Sequence, residues 1–342
     1  MRKIGILTGG GDCPGLNAVI RAVVEKCAAH GIETFGFAGG WRGALNAEGK
    51  WMTLADVENL QAQGGTLLFT SRTNVLKEEN GPERVKATME KLGLSAIVAI
   101  GGDDTLGVAD KLNNMGLNMI GVPKTIDNDL AGTEFTFGFD TAANIAMEQI
   151  DRLHTTAYSH NRYIVVELMG RHTGWIAMYA GLAGCASVTI IPEFPKTVEE
   201  VAQIMLERKE RGLDYGIIAV AEGCEFADMD LSDANLDEFG NVRVAEKDVA
   251  ERLAEALKKR TGIPTRHTVL GYIQRAGSPS VFDRILGTRM GYKAAECVIA
   301  EDYGKMMALQ ANEIVAIPLA AASAGRKVVG ENLYKCAELY FR

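Results

Sequence analysis

Ala96-Ile-Val-Ala-Ile-Gly-Gly-Asp-Asp-Thr105 and Met119-Ile-Gly-Val-Pro-Lys-Thr-Ile-Asp-Asn-Asp129 decide the fold. Each is a short apolar run that ends in a loop crowded with carboxylates. A run that is apolar at every position reads as a strand buried on both faces, the habit of a parallel sheet covered by helices. Four acids, Asp103, Asp104, Asp127 and Asp129, with Lys124 among them, are then expected at the exits of neighbouring strands. Such a concentration of like charge makes sense around a divalent metal and a phosphate chain, and is repulsive elsewhere.

Outward from these runs, Lys3-Ile-Gly-Ile-Leu-Thr8, a helical pattern from Leu16 to His30 and Glu33-Thr-Phe-Gly-Phe37 form a βαβ opening. Further strands are expected at 95–100, 118–122, 163–168, 187–191, 216–221, 267–272 and 313–317, with helical patterns between most of them. The fold class is α/β, with two doubly wound, mostly parallel-sheet lobes and the active site in the cleft between them, because ligands gather at the carboxyl ends of such strands. Thr173 to Pro192 carries no charge and approaches membrane-spanning length, but its Ala/Gly/Met-rich first half and β-branched Val188-Thr-Ile-Ile191 read as a buried αβ unit. The polar stretch from Asp228 to Lys247 reads as an exposed loop without a catalytic role.

Composition narrows the function. At 342 residues, 47% hydrophobic and 23% charged, with 38 glycines and 8 prolines, the chain has enough material for about two domains with a sizeable core. A formal charge of -8 argues against a nucleic-acid surface, which needs a dense basic patch. The six cysteines form no CxxC pair, so neither a disulfide framework nor a zinc site is indicated, and a cytoplasmic location is expected. Met1-Arg2-Lys3 leads straight into a strand, so no export signal is expected. No membrane partner is expected.

Gly9-Gly-Gly-Asp-Cys-Pro-Gly-Leu-Asn17 joins the first strand to the first helix, where free N–H groups and the helix dipole suit a phosphate; a tight βα turn is the plain alternative. Leu16 and Asn17 stand where a Walker A loop needs Lys and Ser or Thr, and Pro14 occupies the third glycine position of a dinucleotide fingerprint. Both of those folds are therefore disfavoured. Asp103 alone could be a helix cap, but Thr125-Ile-Asp-Asn-Asp129 adds two more carboxylates from a second strand exit. Arginines whose forked guanidinium matches phosphate oxygens are Arg72, Arg162, Arg171, Arg266 and Arg275; Arg266 and Arg275 flank the strand expected at 267–272. The five histidines show no paired ligand spacing, and no serine sits in a GxSxG elbow.

Taken in order, Gly9-Gly-Gly-Asp12 with Pro14-Gly15 and Asn17, Gly101-Gly-Asp103, Pro123-Lys-Thr-Ile-Asp-Asn-Asp129, Met169-Gly-Arg171, Glu222-Gly223, Leu270-Gly-Tyr-Ile-Gln-Arg275 and Asp283-Arg284 resemble the motifs of the 6-phosphofructokinase family, from residue 3 to about 300. The resemblance implies a donor-binding lobe at about 1–138 plus 274–324 and a sugar-phosphate lobe at about 139–273 plus 325–342. By the same resemblance, Asp127 is the base acting on the 1-hydroxyl of fructose 6-phosphate, Asp103 is the Mg2+-associated carboxylate, and Thr125 and Asp129 support transfer. Gly11 and Arg72 belong with the donor, alongside Asp104 and Lys124. Ile126, Met169, Gly170, Arg171 and Glu222 are similar to sugar-phosphate contacts, as are Tyr272, Ile273, Gln274 and Arg275. Arg162 and Arg266 resemble 6-phosphate ligands that cross into the neighbouring active site of a homo-oligomer.

ATP-using members of that family typically carry glycine where this chain has Asp104 and Lys124. A carboxylate about 4 Å from a nucleotide's α-phosphate costs about 4 kcal/mol at an effective dielectric near 20, roughly a thousandfold in affinity. The pair therefore resembles the pyrophosphate-dependent members, with an ATP-dependent enzyme as the alternative and a non-catalytic sugar-phosphate sensor as a remote one, disfavoured by the intact Thr125, Asp127 and Asp129. Tyr272 where histidine is common, and Ala276 where glycine is common, leave the identity of the sugar open. Arg21 matches a bacterial effector-site residue while Glu25 reverses a charge there, so little allosteric control is expected.

Overall fold

The computed structural model describes residues 2–229 and 248–341. In chain order the regular elements are β1 (Arg2–Thr8), α1 (Leu16–Ala29), β2 (Ile32–Phe37), α2 (Trp41–Asn46), β3 (Gly49–Trp51), α3 (Leu54–Val57), α4 (Gly81–Leu92), β4 (Ala96–Gly101), α5 (Asp103–Asn114) and β5 (Met119–Pro123). There follow α6 (Phe139–Ser159), β6 (Tyr163–Leu168), α7 (Trp175–Ala183), β7 (Val188–Ile190), α8 (Val198–Glu210), β8 (Gly216–Ala221), α9 (Val249–Thr261) and β9 (Thr265–Val269). The last are α10 (Val281–Ala300), β10 (Lys305–Gln310), β11 (Glu313–Pro318) and α11 (Glu331–Glu338). They belong to two compact units, Met1–Thr141 with Arg275–Lys327, and Ala142–Gln274 with Val328–Arg342.

Unit 1 is built on a seven-stranded sheet in the order β11-β10-β5-β4-β1-β2-β3. Its inner strands run parallel, with β3 and β11 antiparallel at the two edges. Every residue of β4 and β5 is buried, as their unbroken apolar runs require. Leu7, Phe37, Ile97, Leu106, Met119 and Met306 belong to one core cluster of this unit. Strand order reverses between β1 and β4, so the loops after these two strands part to opposite faces and leave a crevice at the carboxyl end.

Unit 2 carries a four-stranded parallel sheet in the order β7-β8-β6-β9. The uncharged stretch after Thr173 folds as α7 and β7, and no helix among the described residues is long and apolar enough to cross a membrane. All but Asp228 and Met229 of the polar stretch expected to be a loop lies outside the described residues. Asp228 itself accepts hydrogen bonds from the first N–H groups of α8, Val198 at 2.8 Å and Glu199 at 3.2 Å, and pairs with Arg260 at 2.5 Å.

Three strand expectations need correction. The strand placed at 267–272 is Thr265–Val269, because Gly271, at φ 51°, turns the chain into a 3-10 turn over Gly271–Arg275. Arg266 therefore lies inside β9, not before it. β10 was not expected, since Lys-Met-Met-Ala-Leu-Gln lacks the β-branched residues that announce a strand; pairing with β5 and β11 imposes the conformation. β3 is only three exposed residues long, too short for any alternation to show.

Candidate active site

Loops from three adjacent strands of unit 1 gather the charged residues expected from sequence. The ladder runs one step beyond the strands: the Gly9 N–H donates to the Ile100 carbonyl at 2.9 Å, and the Lys124 N–H to Gly101 at 2.9 Å. The β1–α1 loop is thereby tied to the loops after β4 and β5. Gly15 enters α1 at φ 104°, and α1 has no acidic residue in its first turn to neutralise the N–H groups there. Segment 66–72 closes on the same loop, where the Thr70 hydroxyl donates to the Gly10 carbonyl at 2.6 Å and the Gly10 N–H to Ser71 at 3.1 Å. Exposed Arg72 is the next residue.

Lys124 is 3% exposed, and its ammonium donates to the carbonyl of Gly11. Burial holds its pKa below the ordinary lysine value, and the nearby Arg275 guanidinium pushes the same way. Arg275 sits against this loop, with Nη1 3.3 Å from the Asp12 carbonyl and close to where a Cβ on Gly11 would stand. Two cations thus converge on a glycine-rich loop. That arrangement suits a small polyanion.

The acids gather beside them. Asp103 and Asp104 open α5, and Asp103 Oδ1 accepts the Asp104 N–H at 2.9 Å. Asp127 is buried; its N–H donates to the Thr125 hydroxyl oxygen at 3.0 Å, and Thr136 Oγ1 donates to the Thr125 carbonyl at 2.7 Å. Burial, then the charges of Asp127 and Asp103, push the Asp129 pKa up to about 7. Asp129 therefore feels the charges of both neighbouring acids. Among the described residues no group of three or more His, Cys, Asp or Glu side chains is arranged to cage a metal. This donor set fits a hard cation of the kind that keeps water and substrate phosphates as most of its ligands.

In unit 2 the loops after β6 and β8 are organised by hydrogen bonds to backbone. Glu222 Oε1 accepts from Arg171 N at 2.9 Å and Gly170 N at 3.3 Å, and the Glu222 N–H donates to the Leu168 carbonyl at 2.8 Å. Arg171 is held at φ 54°, and a Cβ on Gly223 would fall 2.0 Å from the Arg171 carbonyl, so only glycine fits there. Gln274 is fully buried, accepting from Met169 N at 3.3 Å and donating to Gly271 at 3.1 Å, so its amide is spent on shaping the turn. Tyr272 and Ile273, by contrast, are exposed, Tyr272 at 78%.

The residues expected from sequence divide as follows. Unit 1 brings together Gly11, Arg72, Asp103, Asp104 and the run Lys124 to Asp129, and adds Arg275. Unit 2 places Met169, Gly170, Arg171, Glu222 and Gln274 at the carboxyl end of its sheet. Arg162 and Arg266 stand at the other end: Arg162 directly precedes β6, and Arg266 pairs with Ile164 at the start of β9. Within one chain they are separated from Met169 to Arg171 by the length of β6. Arg21 and Glu25 pair with each other at 2.8 Å across one turn of α1.

Sequence reading passed over several residues that hold this site. Thr70 and Thr136 are single hydroxyls in unmarked segments. Asp283 is fully buried and accepts from the Thr141 N–H at 2.8 Å, joining the starts of α6 and α10; burial pushes its pKa up to about 6. Lys327 donates into the Asp127–Asp129 loop from near the end of unit 1. Only Asp283 had a signal, in the Asp283-Arg284 pair; the others find their partners through folding alone.

A sequence profile described as phosphofructokinase matches residues 3–298. The chain belongs to the phosphofructokinase family. It is similar to a pyrophosphate--fructose 6-phosphate 1-phosphotransferase of Amycolatopsis methanolica, 51% identical over 99% of each chain. It is also similar to ATP-dependent 6-phosphofructokinase 3 of Streptomyces coelicolor, 44% identical over 98% of this chain and 99% of the relative. Among solved structures, a phosphofructokinase from Saccharomyces cerevisiae superposes with a TM-score of 0.84 at 29% identity, over the whole of this chain and 47% of the yeast chain. The phosphofructokinase fold expected from the motifs is the fold observed.

Proposed function

We propose that this phosphofructokinase transfers a phosphoryl group reversibly from pyrophosphate to the 1-hydroxyl of fructose 6-phosphate in the cytoplasm, giving fructose 1,6-bisphosphate and phosphate. The carrying observation is Lys124, buried and bonded back to Gly11, where a cation grips the short donor that the β1–α1 loop would hold. Similarity to the Amycolatopsis phosphotransferase supports the same donor. Unit 1 is the donor-binding half and unit 2 the sugar-phosphate half.

In the reaction, the C1 oxygen bonds to the terminal phosphorus of pyrophosphate as the bridging P–O bond breaks, and the hydroxyl proton passes to Asp127. Thr125 fixes the backbone of Asp127 through their 3.0 Å hydrogen bond. Lys124, Arg72 and Arg275 balance charge on the transferring group and on the phosphate that leaves. Asp103 would hold Mg2+, which would supply charge neutralisation for the phosphoryl groups. Asp104 disfavours an α-phosphate and so selects against nucleotides.

Met169, Gly170, Arg171 and Glu222, with Tyr272 and Ile273, form the sugar side, on turns that the buried Gln274 amide braces. Arg162 and Arg266 act on the 6-phosphate of a neighbouring copy, which makes the working enzyme a homo-oligomer. Their place at the opposite end of the sheet supports this, as does the buried Arg162 Nε, which has no hydrogen-bond partner among the described residues.

The similarity to an ATP-dependent relative keeps a second donor in view. Initial rates with fructose 6-phosphate and Mg2+, measured side by side with pyrophosphate and ATP, test the reading. Pyrophosphate should exceed ATP in kcat/KM by about a thousandfold, on the electrostatic cost of Asp104. A preference for ATP would overturn the donor assignment.

A further inference from the structure

We propose that Lys327 is a positioning residue for phosphoryl transfer, clamping the Asp127–Asp129 loop from a segment that lies beyond the family profile. The inference rests on the reading of Asp127 as the base. Lys327 is the last residue of unit 1 and stands outside the profile match at 3–298. Its ammonium donates to Asn128 Oδ1 at 2.8 Å, to the Glu134 carbonyl at 2.6 Å and to the Thr133 carbonyl at 3.2 Å. Three acceptors meet the three donors of one ammonium. The Lys327 N–H also donates to the Asp129 carbonyl at 2.8 Å, and Arg326 bridges to Leu130 in antiparallel fashion.

The target of this clamp is the residue between two proposed catalytic carboxylates. Asn128 is 1% exposed and adopts φ 52°, a conformation that asparagine tolerates but does not prefer. Its Oδ1 is shared by Lys327 and by the Thr136 N–H at 3.1 Å, while Thr136 Oγ1 holds the Thr125 carbonyl at 2.7 Å. Lys327, Thr136 and Asn128 therefore form one bonded network around the turn from Thr125 to Asp129. If Asn128 relaxed from the left-handed region, the flanking Asp127 and Asp129 would both reorient. A displacement of about 1 Å at a reacting group costs on the order of a hundredfold in rate. Lys327 does this without touching substrate, so its contribution belongs in kcat.

The test uses the full-length enzyme with Lys327→Met, Lys327→Arg, Asn128→Ala and the double variant Lys327→Met/Asn128→Ala. Lys327→Met should lower kcat by roughly 10- to 100-fold, with KM for both substrates within about twofold. Lys327→Arg should recover part of that loss, because a guanidinium can still reach Asn128 Oδ1. The double variant should fall no further than the worse single one, since both break the same network. Unchanged kcat in Lys327→Met, or losses that multiply in the double variant, would overturn the proposal. A second readout needs no turnover: hydrogen exchange at the amides of Asp127 to Leu130 and Thr136 in the resting enzyme. Exchange there should speed at least about tenfold in Lys327→Met while the amides of β4 and β5 keep their protection. Were the wild type inactive with both donors, the catalytic reading would fail by itself, and unaltered exchange would still separately sink the clamp.

Discussion

The two units treat charge in opposite ways at the carboxyl ends of their sheets. Unit 1 buries it: Lys124 is almost wholly enclosed, and Asp129 is pushed up to about 7 by burial and by its acidic neighbours. Unit 2 spends its polar groups on backbone, with Glu222 and Gln274 shaping the turns while Tyr272 stays exposed. Crowded, desolvated charge costs stability and is kept where charge must develop during a reaction. Ordered turns with exposed side chains are enough to recognise a substrate. The proposed function gives chemistry to unit 1 and recognition to unit 2 in keeping with this contrast, and each half of that proposal can be broken.

The largest effect is expected at the proposed base. Asp127→Ser should lower kcat by about 10²–10⁴-fold with little change in KM, measured as steady-state turnover at saturating pyrophosphate and fructose 6-phosphate. Near-wild-type turnover would move proton removal to another residue. Next comes the donor gate. Asp104→Gly combined with Lys124→Gly should shift the ratio of ATP to pyrophosphate kcat/KM by about a thousandfold towards ATP. An unmoved ratio would remove unit 1's claim to donor choice.

Recognition should show smaller losses, confined to KM. Arg162→Ala or Arg266→Ala should raise the KM for fructose 6-phosphate by roughly 10- to 100-fold, the worth of a charged hydrogen bond, and leave the pyrophosphate KM alone. Mixing an Arg162→Ala subunit with an Asp127→Ser subunit sharpens the point. If Arg162 acts on its neighbour, hybrid oligomers should regain activity, because some sites then carry neither change.

The smallest effect concerns stability. Asp129 has a pKa raised from the ordinary carboxylate value to about 7, so the folded state holds a proton that the unfolded chain has lost. Its contribution is therefore full at low pH and is lost as pH rises from about 4 towards 7. Asp129→Asn should flatten that fall and raise Tm at pH 8, by roughly 2–4 °C for each kcal/mol recovered. A lower Tm at pH 8 would mean that the ionised carboxylate is stabilised by partners that outweigh its burial.

Most of the architecture was legible because its cause is local. Unbroken apolar runs at Ala96–Gly101 and Met119–Pro123 must be buried on both faces, whatever surrounds them. The acids were legible for the same reason, standing at the ends of those runs. What failed locally were elements whose conformation comes from their partners. β10 is a strand because β5 and β11 lie beside it, and β9 stops short because Gly271 turns the chain away. Gln274 reads as a binding residue in its motif, yet the fold turns its amide inward.

The chain's own order of residues determined the fold class, the family and the strand exits that carry carboxylates and Lys124, since each is announced by short motifs whose residues lie within a few positions of one another. Only the tertiary structure decided that Lys124 reaches Gly11, that Arg162 and Arg266 share the far end of their sheet, and that Lys327 holds Asn128. These contacts join positions separated by most of a domain. Whether they form depends on how strands are ordered and where loops return, and no spacing along the chain records that.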